Sequence, residues 1–406
     1  MNITLLLDLD GTLLGNDMDR FAQVYMQALA NYMVTSGMIE ESQQKNFAKV
    51  LWAATQKMIE NNYPGVTLKE TFDASFYPVL GIDQEKAKAI IDQFYAQIFP
   101  TLKYVTEYRP DAVALIKEAI KRGYRLAIAT NPLFPRVATL HRLAWAGFPA
   151  DDHPFEVISS YEDFHFAKPN TAYFAELLAR MNWPEGPVVM VGNDPFHDIA
   201  GAKSLGLPTF QVIDGNFPEA AQSYPSGQLM DLIPWLDTNS NDKLLPDYAR
   251  PEAMLATLRS TPAALLTISQ EVSLNQWDQR LRPNEWALNE ILCHLRDVDA
   301  EVNLPRLQKF TQESNPFIPA AITDPWAEER QYIHQDGLQA LHTFLGNRLQ
   351  ILTLLDSLTA EGWQSPARHT IFGPTTLAEM VGITAGHDRL HIQQFTNTLK
   401  AIQADI

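Results

Sequence analysis

The chain is expected to fold as an α/β doubly wound parallel sheet with a helical insertion, followed by an all-α four-helix bundle. Three observations predict this. Short apolar runs alternate with helical stretches up to about residue 213, and a long helical block separates the first of those runs from the rest. Beyond about residue 250 the strand signal vanishes. Strands alternating with helices of this length imply right-handed crossovers, which cover a parallel sheet on both faces.

Ile3 to Leu9 is a short apolar run ending in acids, which reads as a buried parallel strand with functional groups at its C-terminal end. From Met18 to Phe99 the pattern is helical, with turn signals at Tyr63-Pro64-Gly65 and Gly81 and no convincing strand. Pro110 to Arg122 reads as a helix closed by Gly123, Tyr124 to Ala129 as a strand, and Phe134 to Ala146 as a helix. A strand at Phe155 to Ser159 and a helix over Thr171 to Met181 repeat the cycle. Pro187 to Val191 is a strand, Ile199 to Leu205 a helix, and Thr209 to Ile213 the last strand.

Residues 238–250 are polar, turn-rich and proline-bounded, so they read as a linker between a first domain, 1–237, and a second, 251–406. In the second domain, helical stretches at 251–272, 284–312, 334–358 and 374–402 fit an antiparallel bundle. The loop after Pro316 is its longest expected connection.

A chain of 406 residues is too long for one core and suits two domains. Its net charge of −17 offers no basic stripe, so neither nucleic acid nor an anionic membrane is an expected partner. Cys293 is the one cysteine, which excludes an internal disulfide and a cysteine-built zinc site. The leading apolar run is too short for a signal peptide, and no apolar segment is long enough to cross a bilayer. A cytoplasmic, reducing location is the expectation.

Asp8-Leu9-Asp10-Gly11-Thr12 follows the first strand. Paired carboxylates in a tight loop suit covalent phosphoryl transfer: one attacks phosphorus and the other protonates the leaving oxygen. Gly11 permits the close turn that brings backbone N–H groups toward a phosphate.

The motif resembles the first motif of the haloacid-dehalogenase superfamily, and three later segments resemble its other motifs in the same order. Ala129-Thr130-Asn131 ends the second clear strand, Ala167-Lys168-Pro169 looks like the third motif, and Val191-Gly192-Asn193-Asp194 through Asp198 looks like the fourth. The resemblance implies a Rossmann-like core, with Asp8 as nucleophile and Asp10 as general acid and then base. It implies Thr130 as the phosphate-binding hydroxyl and Lys168 as the cation offsetting the clustered negative charge. It also implies Mg²⁺ held by Asp8, the Asp10 backbone carbonyl and Asp194. Many family members carry an acid directly after the glycine, where this chain has Asn193, so Asn193 or Asp194 meets the metal and Asp198 assists from behind.

Because Asp10 is present, phosphate monoesters are favoured over haloalkanoates as substrates, and phosphatase over phosphomutase. The insertion, about 15–105, resembles the family's helical cap, which selects small phosphorylated metabolites. Arg20 and Lys57 are candidates for holding a second anionic group, and both also fit a solvated surface.

The bundle holds a second constellation. His387 and His391 lie one turn apart on the stripe Leu377, Met380, Thr384, His387, His391 and Phe395, and His294 lies on the apolar side of another helix. Spacing of this kind suits ligands of one metal. Trp286, Leu292-Cys293-His294-Leu295 and Gly386-His387-Asp388-Arg389-Leu390-His391 resemble the DinB-like four-helix family. That resemblance implies a divalent transition metal on the three histidines, with Zn²⁺ or Ni²⁺ suited to imidazole. Asp297 and Glu301 continue the His294 face and are candidates for orienting a histidine N–H. Cys293 points elsewhere and reads as core. Two rival readings remain: a catalytically silent phosphate-ligand sensor with thiol-dependent transfer in the bundle, and a metal-free bundle serving as a homodimer interface.

Overall fold

Strand β1 (Thr4–Leu7) lies at the centre of a six-stranded parallel sheet and is buried along its whole length, as its unbroken apolar run requires. The structure, a computed structural model, describes residues 3–213 and 224–404. These fall into two compact units, residues 1–177 with 184–247 and residues 178–183 with 248–406.

In the first unit β1 is followed by β2 (Leu14–Asn16), helices α1 (Met18–Thr35), α2 (Gln44–Glu60), α3 (Leu68–Leu80) and α4 (Gln84–Gln93), and β3 (Thr106–Tyr108). Then come α5 (Pro110–Lys121), β4 (Arg125–Ile128), α6 (Arg136–Trp145), β5 (Val157–Ile158), α7 (Thr171–Arg180), β6 (Val188–Gly192), α8 (Gly201–Ser204), β7 (Thr209–Val212), β8 (Ser226–Gly227) and α9 (Leu232–Thr238). The sheet order is β5-β4-β1-β6-β7-β8. Leu7 pairs with both Ile128 and Val191, so Asp8, Thr130 and the turn after Gly192 emerge at the same C-terminal edge. In open α/β sheets that edge, where the strand order reverses, is where ligands bind.

The antiparallel pair β2–β3 brackets the helical insertion, with Leu14 opposite Tyr108 and Asn16 opposite Thr106. Neither strand was expected, since three residues each are too short to show alternation. Inside the insertion α3 starts on a reciprocal cap between Thr67 and Glu70 and stops at Gly81 in the left-handed conformation. Phe21, Phe47, Phe76, Phe94 and Phe99 are buried there.

Residues expected as a linker are packed through Asp247. A 3₁₀ turn covers Asn241–Leu244 with Leu244 buried, and the Asp247 N–H donates to the Gly206 carbonyl at 2.9 Å. Gly206 has φ +89°, and a Cβ there would meet the Asp247 backbone.

The second unit contains α10 (Pro251–Ser269), α11 (Leu288–Val298), α12 (Leu304–Gln312), β9 (Phe317–Ile318), α13 (Trp326–Glu329), α14 (Gly337–Asp356), α15 (Ala360–Trp363), β10 (Pro366–His369), β11 (Gly373–Thr376) and α16 (Leu377–Ala404). A π turn at Asp299–Asn303 joins α11 to α12, so the expected helix 284–312 is continuous but begins at Leu288. Its start is fixed by Glu290, whose carboxylate accepts from the Ala287 N–H at 2.8 Å and leaves Trp286 outside the helix. α10, α11 with α12, α14 and α16 are the four long helices of the bundle. The small sheet β11-β10-β9 corrects the expectation that no strands follow residue 250. Pro366 and Pro374 break the alternation that would have announced it.

Met254, Leu258, Ile351, Leu352, Leu355, Leu377 and Val381 form the bundle's apolar core. Beside it Arg348 is fully buried between the carboxylates of Asp299 and Asp388. Among the described residues no helix is long and apolar enough to cross a membrane.

Candidate active site and candidate metal centre

Asp8 leaves β1 with its N–H bonded to the Val191 carbonyl at 2.9 Å, and its side chain is 6 % exposed. Lys168 Nζ donates to Asp8 Oδ1 at 2.9 Å and also to Asp198 Oδ1, and both partners are buried. Burial, then the Asp198 charge, pushes the Asp8 carboxyl up to about 7, while Lys168 opposes the rise. Burial by itself would lower the Lys168 ammonium, but Asp198 and Asp8 together push it well above its ordinary range. The lysine thus lies between two acids, Asp8 and Asp198.

The loop bearing Lys168 is held by Asn131 of the second motif and by a pair, His165 and Glu176, that lies outside the motifs. The Lys168 N–H donates to Asn131 Oδ1 at 3.1 Å. Three residues earlier, His165 is buried with Glu176, which takes its Nδ1 at 2.7 Å and its backbone N–H at 3.0 Å. The two members of this pair lie 11 residues apart and belong to none of the motifs, so no local pattern announced them.

Asp10 does not reach the other acids. Its Oδ1 accepts from Asn16 Nδ2 at 3.0 Å, and its Oδ2 accepts from Thr130 Oγ1 at 3.4 Å and from Arg142 Nη1. Thr130 is buried, and its carbonyl is held by Ser159 Oγ at 2.8 Å and Tyr173 OH at 2.9 Å. Arg142 was not anticipated, because it lies in the last turn of α6 and belongs to no recognisable motif. Arg20 is exposed, and Lys57 forms an exposed pair with Glu60 at 3.3 Å, so both are solvated surface charges.

The fourth segment separates Asn193 from Asp194. Thr12 Oγ1 lies 3.0 Å from Asp8 Oδ2 and 3.2 Å from Asn193 Oδ1, which puts the Asn193 amide beside the nucleophile. Asp194 is turned outward. Its Oδ1 caps the following helical turn, accepting from Phe196 N at 2.8 Å and His197 N at 2.7 Å, and Oδ2 lies 3.1 Å from His197 Nδ1. The His197 side chain, with those backbone bonds, draws the Asp194 carboxyl down to about 2. Asp198 Oδ2 accepts from the Asp194 N–H at 2.9 Å.

Two glycines allow this closeness. Gly11 has φ +79°, and a Cβ there would lie 2.6 Å from Asn193 Nδ2. At Gly192 a Cβ would lie 2.6 Å from Asp198 Cβ.

The donor set fits a hard divalent cation. The Thr12 hydroxyl has one proton for two facing acceptors, Asp8 Oδ2 and Asn193 Oδ1, so it can serve only one of these oxygens at a time. Oxygen donors with few carboxylates are what Mg²⁺ takes.

The second constellation is tighter. Among the described residues, His294, His387 and His391 are the group whose ligand atoms all lie within 4.8 Å of one another. His387 Nε2 is 3.1 Å from both His294 Nε2 and His391 Nε2. Ligands about 2.0–2.1 Å from a tetrahedral zinc would be about 3.3 Å apart, so the spacing suits one ion. His391 Nδ1 faces Gln394 Oε1 at 2.8 Å, an acceptor that places the ring proton there and frees Nε2 to ligate.

Burial, then the neighbouring imidazoles, pushes His294 down to about 3, and the same causes take His391 to about 4. Burial also lowers His387. The Trp286 ring, outside α11, lies parallel to His391 with centroids 5.9 Å apart.

Asp297 and Glu301 do not orient these rings, which corrects that expectation. Asp297 accepts from Arg296 at 2.6 Å, Arg330 at 2.7 Å and Tyr332 at 2.6 Å, and Glu301 pairs with Arg330. His294 Nδ1 is buried without a hydrogen-bond partner. Cys293 is buried outside the cluster, and burial pushes its thiol up to about 11.

The parallel sheet with the four ordered motifs, and the helical bundle that follows in the sequence, define the class. Residues 4–206, half of the chain, match the haloacid dehalogenase-like hydrolase family, and residues 257–395 match the DinB superfamily. The chain therefore belongs to the haloacid dehalogenase-like hydrolases, with a DinB-superfamily domain following the hydrolase domain.

A phosphoserine phosphatase from Thermus thermophilus is 30 % identical over 125 residues, 30 % of this chain and 47 % of that protein. A ribulose-1,5-bisphosphate 5-phosphatase from Halopiger xanaduensis is 30 % identical over 138 residues, 34 % of this chain and 54 % of that protein. The chain thus spans about half the length of the curated relatives it matches. A HAD phosphatase structure from Thermococcus onnurineus has 18 % identity and a TM-score of 0.38, covering 58 % of this chain and 98 % of that one. YfiT from Bacillus subtilis, which has an unusual four-helix bundle topology, has 19 % identity and a TM-score of 0.35, covering 39 % and 91 %.

Proposed function

We propose that the first domain is a Mg²⁺-dependent phosphatase that hydrolyses a small phosphate monoester through an aspartyl-phosphate on Asp8. The observation that carries this reading is the buried Asp8 carboxylate with Lys168 on one oxygen and the Thr12 hydroxyl on the other. One oxygen of Asp8 attacks phosphorus. Lys168 opposes the effect of burial on the Asp8 carboxyl and offsets the phosphoryl charge that arrives beside it. Asp10 gives a proton to the leaving oxygen, then takes one from the water that attacks the aspartyl-phosphate. Thr130 holds a phosphoryl oxygen once its hydroxyl turns from Asp10.

Asp8, the Asp10 carbonyl and Asn193 would hold Mg²⁺, with Asp198 behind them, and the ion would supply positive charge to the phosphoryl oxygens. Asp194 is thereby assigned to capping rather than ligation. The matched relatives include a phosphoserine phosphatase and a ribulose-1,5-bisphosphate 5-phosphatase, which supports a small phosphorylated metabolite as substrate.

The test is turnover of a panel of small phosphate esters with Mg²⁺ by wild type and Asp8→Asn. Hydrolysis by the wild type that falls to background in the variant is expected. A wild type that turns over no ester overturns the proposal.

For the second domain we infer one Zn²⁺ or Ni²⁺ held by the Nε2 atoms of His294, His387 and His391. The support is their convergence between α11 and α16, with His387 Nε2 at 3.1 Å from each of the other two. Three neutral imidazoles leave a fourth position for water or substrate, beside the Trp286 ring.

A further inference from the structure

Arg142 of α6 is only 1 % exposed, yet its guanidinium enters the catalytic edge. Nη1 donates to Asp10 Oδ2 and Nη2 to Thr139 Oγ1 at 3.2 Å, while Nε has no partner. The Phe134 ring lies 4.5 Å beneath the guanidinium carbon, and Tyr25 packs edge-on against that ring with centroids 5.1 Å apart. Asp10 is its carboxylate partner among the described residues. A planar cation walled in by aromatic rings is a fixed point, so the Asp10 carboxyl is tied to something that does not move.

The chemistry of the donor adds a constraint. A guanidinium donates and never accepts, and it keeps its protons throughout the usable pH range. An oxygen that receives its N–H therefore cannot direct a proton toward it. We propose that Arg142 is a positioning residue that occupies Asp10 Oδ2 and thereby assigns proton transfer to Oδ1. This rests on the phosphatase reading above.

Oδ1 is the oxygen to which Asn16, at the end of β2, donates at 3.0 Å. When Asn16 turns away, Oδ1 is free to carry the proton. An Asp8 oxygen then bonds to phosphorus as the bond from phosphorus to the ester oxygen breaks. The electron pair passes to the ester oxygen, which takes the proton from Oδ1 and leaves Asp10 as a carboxylate. That carboxylate next accepts a proton from the water whose oxygen bonds to phosphorus as the bond from phosphorus to Asp8 breaks. The electron pair returns to the Asp8 carboxylate, inorganic phosphate is released and Asp10 is left protonated for the next turnover.

The test uses full-length protein with Mg²⁺ and two esters that differ in leaving group. 4-Nitrophenyl phosphate releases a phenolate that needs no protonation, whereas the best alkyl phosphate of the panel releases an alkoxide that does. For Arg142→Met, kcat on the alkyl ester is expected to fall about 10²-fold and on the aryl ester less than about 3-fold, with KM little changed. Arg142→Lys should recover part of the alkyl loss.

Equal losses on both esters, or none on the alkyl ester, overturn the assignment, because a packing role does not distinguish leaving groups. If Arg142→Met fails to fold, Arg142→Lys and Arg142→Gln carry the same comparison. Failure of the phosphatase reading looks different: the wild type then turns over neither ester and matches Asp8→Asn.

Discussion

Asn193 and Asp194 are adjacent, yet their side chains take opposite tasks, and the difference is set by what each can bond locally. Asp194 ionises against two backbone N–H groups and His197 at the start of a helical turn, so moving it to a metal would forfeit all three. Asn193 has Thr12 as its side-chain partner and faces Asp8. A metal held with a neutral amide where a carboxylate could stand is bound less tightly, because the site carries one negative charge fewer. Asn193→Asp should therefore tighten Mg²⁺ binding in calorimetric titration, by about tenfold if the added charge gains about 1.4 kcal/mol. Asp194→Ala should leave that affinity close to wild type while lowering stability by about 1 kcal/mol through loss of the cap. The opposite pattern, with affinity lost in Asp194→Ala and indifferent to Asn193→Asp, would return the metal to Asp194. The four motifs were legible in sequence because each is a contiguous string, three of them at strand ends and Ala167-Lys168-Pro169 in the loop before α7. Arg142 and the His165–Glu176 pair were not, since their partners lie 132 and 11 residues away and only the fold brings them together.

At the scale of elements, long periodic segments were readable and short ones were not. β1, β4, β6 and β7 are apolar runs bounded by turns, and α5, α7, α10 and α16 keep their pattern over several turns. The β2–β3 hinge, β8 and the sheet β9–β10–β11 are two to four residues long, and prolines interrupt β10 and β11. Registers between helices were also beyond the sequence, although the heptad-like stripe on α16 did place His387 and His391 together. Pairing α11 with α16 brings three imidazoles together in a poorly hydrated place, and that carries a pH dependence. Each histidine is pushed below its ordinary 6.5, to about 3 for His294 and about 4 for His391. The unfolded chain therefore binds more protons than the folded one as pH falls below 6.5, and folding stability must fall with it. The loss runs from about 6.5 down to the folded values, at no more than about 1.4 kcal/mol per pH unit for each titrating histidine. In chelator-treated protein the melting temperature of the bundle should drop between pH 7.5 and 5, and His391→Gln should make that drop shallower. A melting temperature flat across this range would show that the rings are not buried together.

The whole molecule joins two units with separate apolar cores and separate donor sets, one of oxygen and one of imidazole nitrogen. A chain of two units need not obey a single unfolding transition. A ligand that binds one folded unit stabilises that unit alone, by about 2.7 kcal/mol when present at a hundred times its dissociation constant. For a unit of 150–250 residues, this is a shift of roughly 5–11 °C. Calorimetry of metal-stripped full-length protein should then show two resolvable transitions that answer to different ions. Zn²⁺ or Ni²⁺ should raise one, and His387→Ala should abolish that rise while leaving the Mg²⁺ response of the other intact. Asn193→Asp should do the reverse, enlarging the Mg²⁺ shift without touching the zinc or nickel response. If neither Zn²⁺ nor Ni²⁺ moves either transition, the three histidines are packing residues and the bundle has no metal. If each ion moves both transitions together, and His387→Ala weakens both responses, the two sites are energetically coupled. The hydrolase site and the histidine site would then have to be treated as parts of one machine, because a coupling free energy acts equally in both directions.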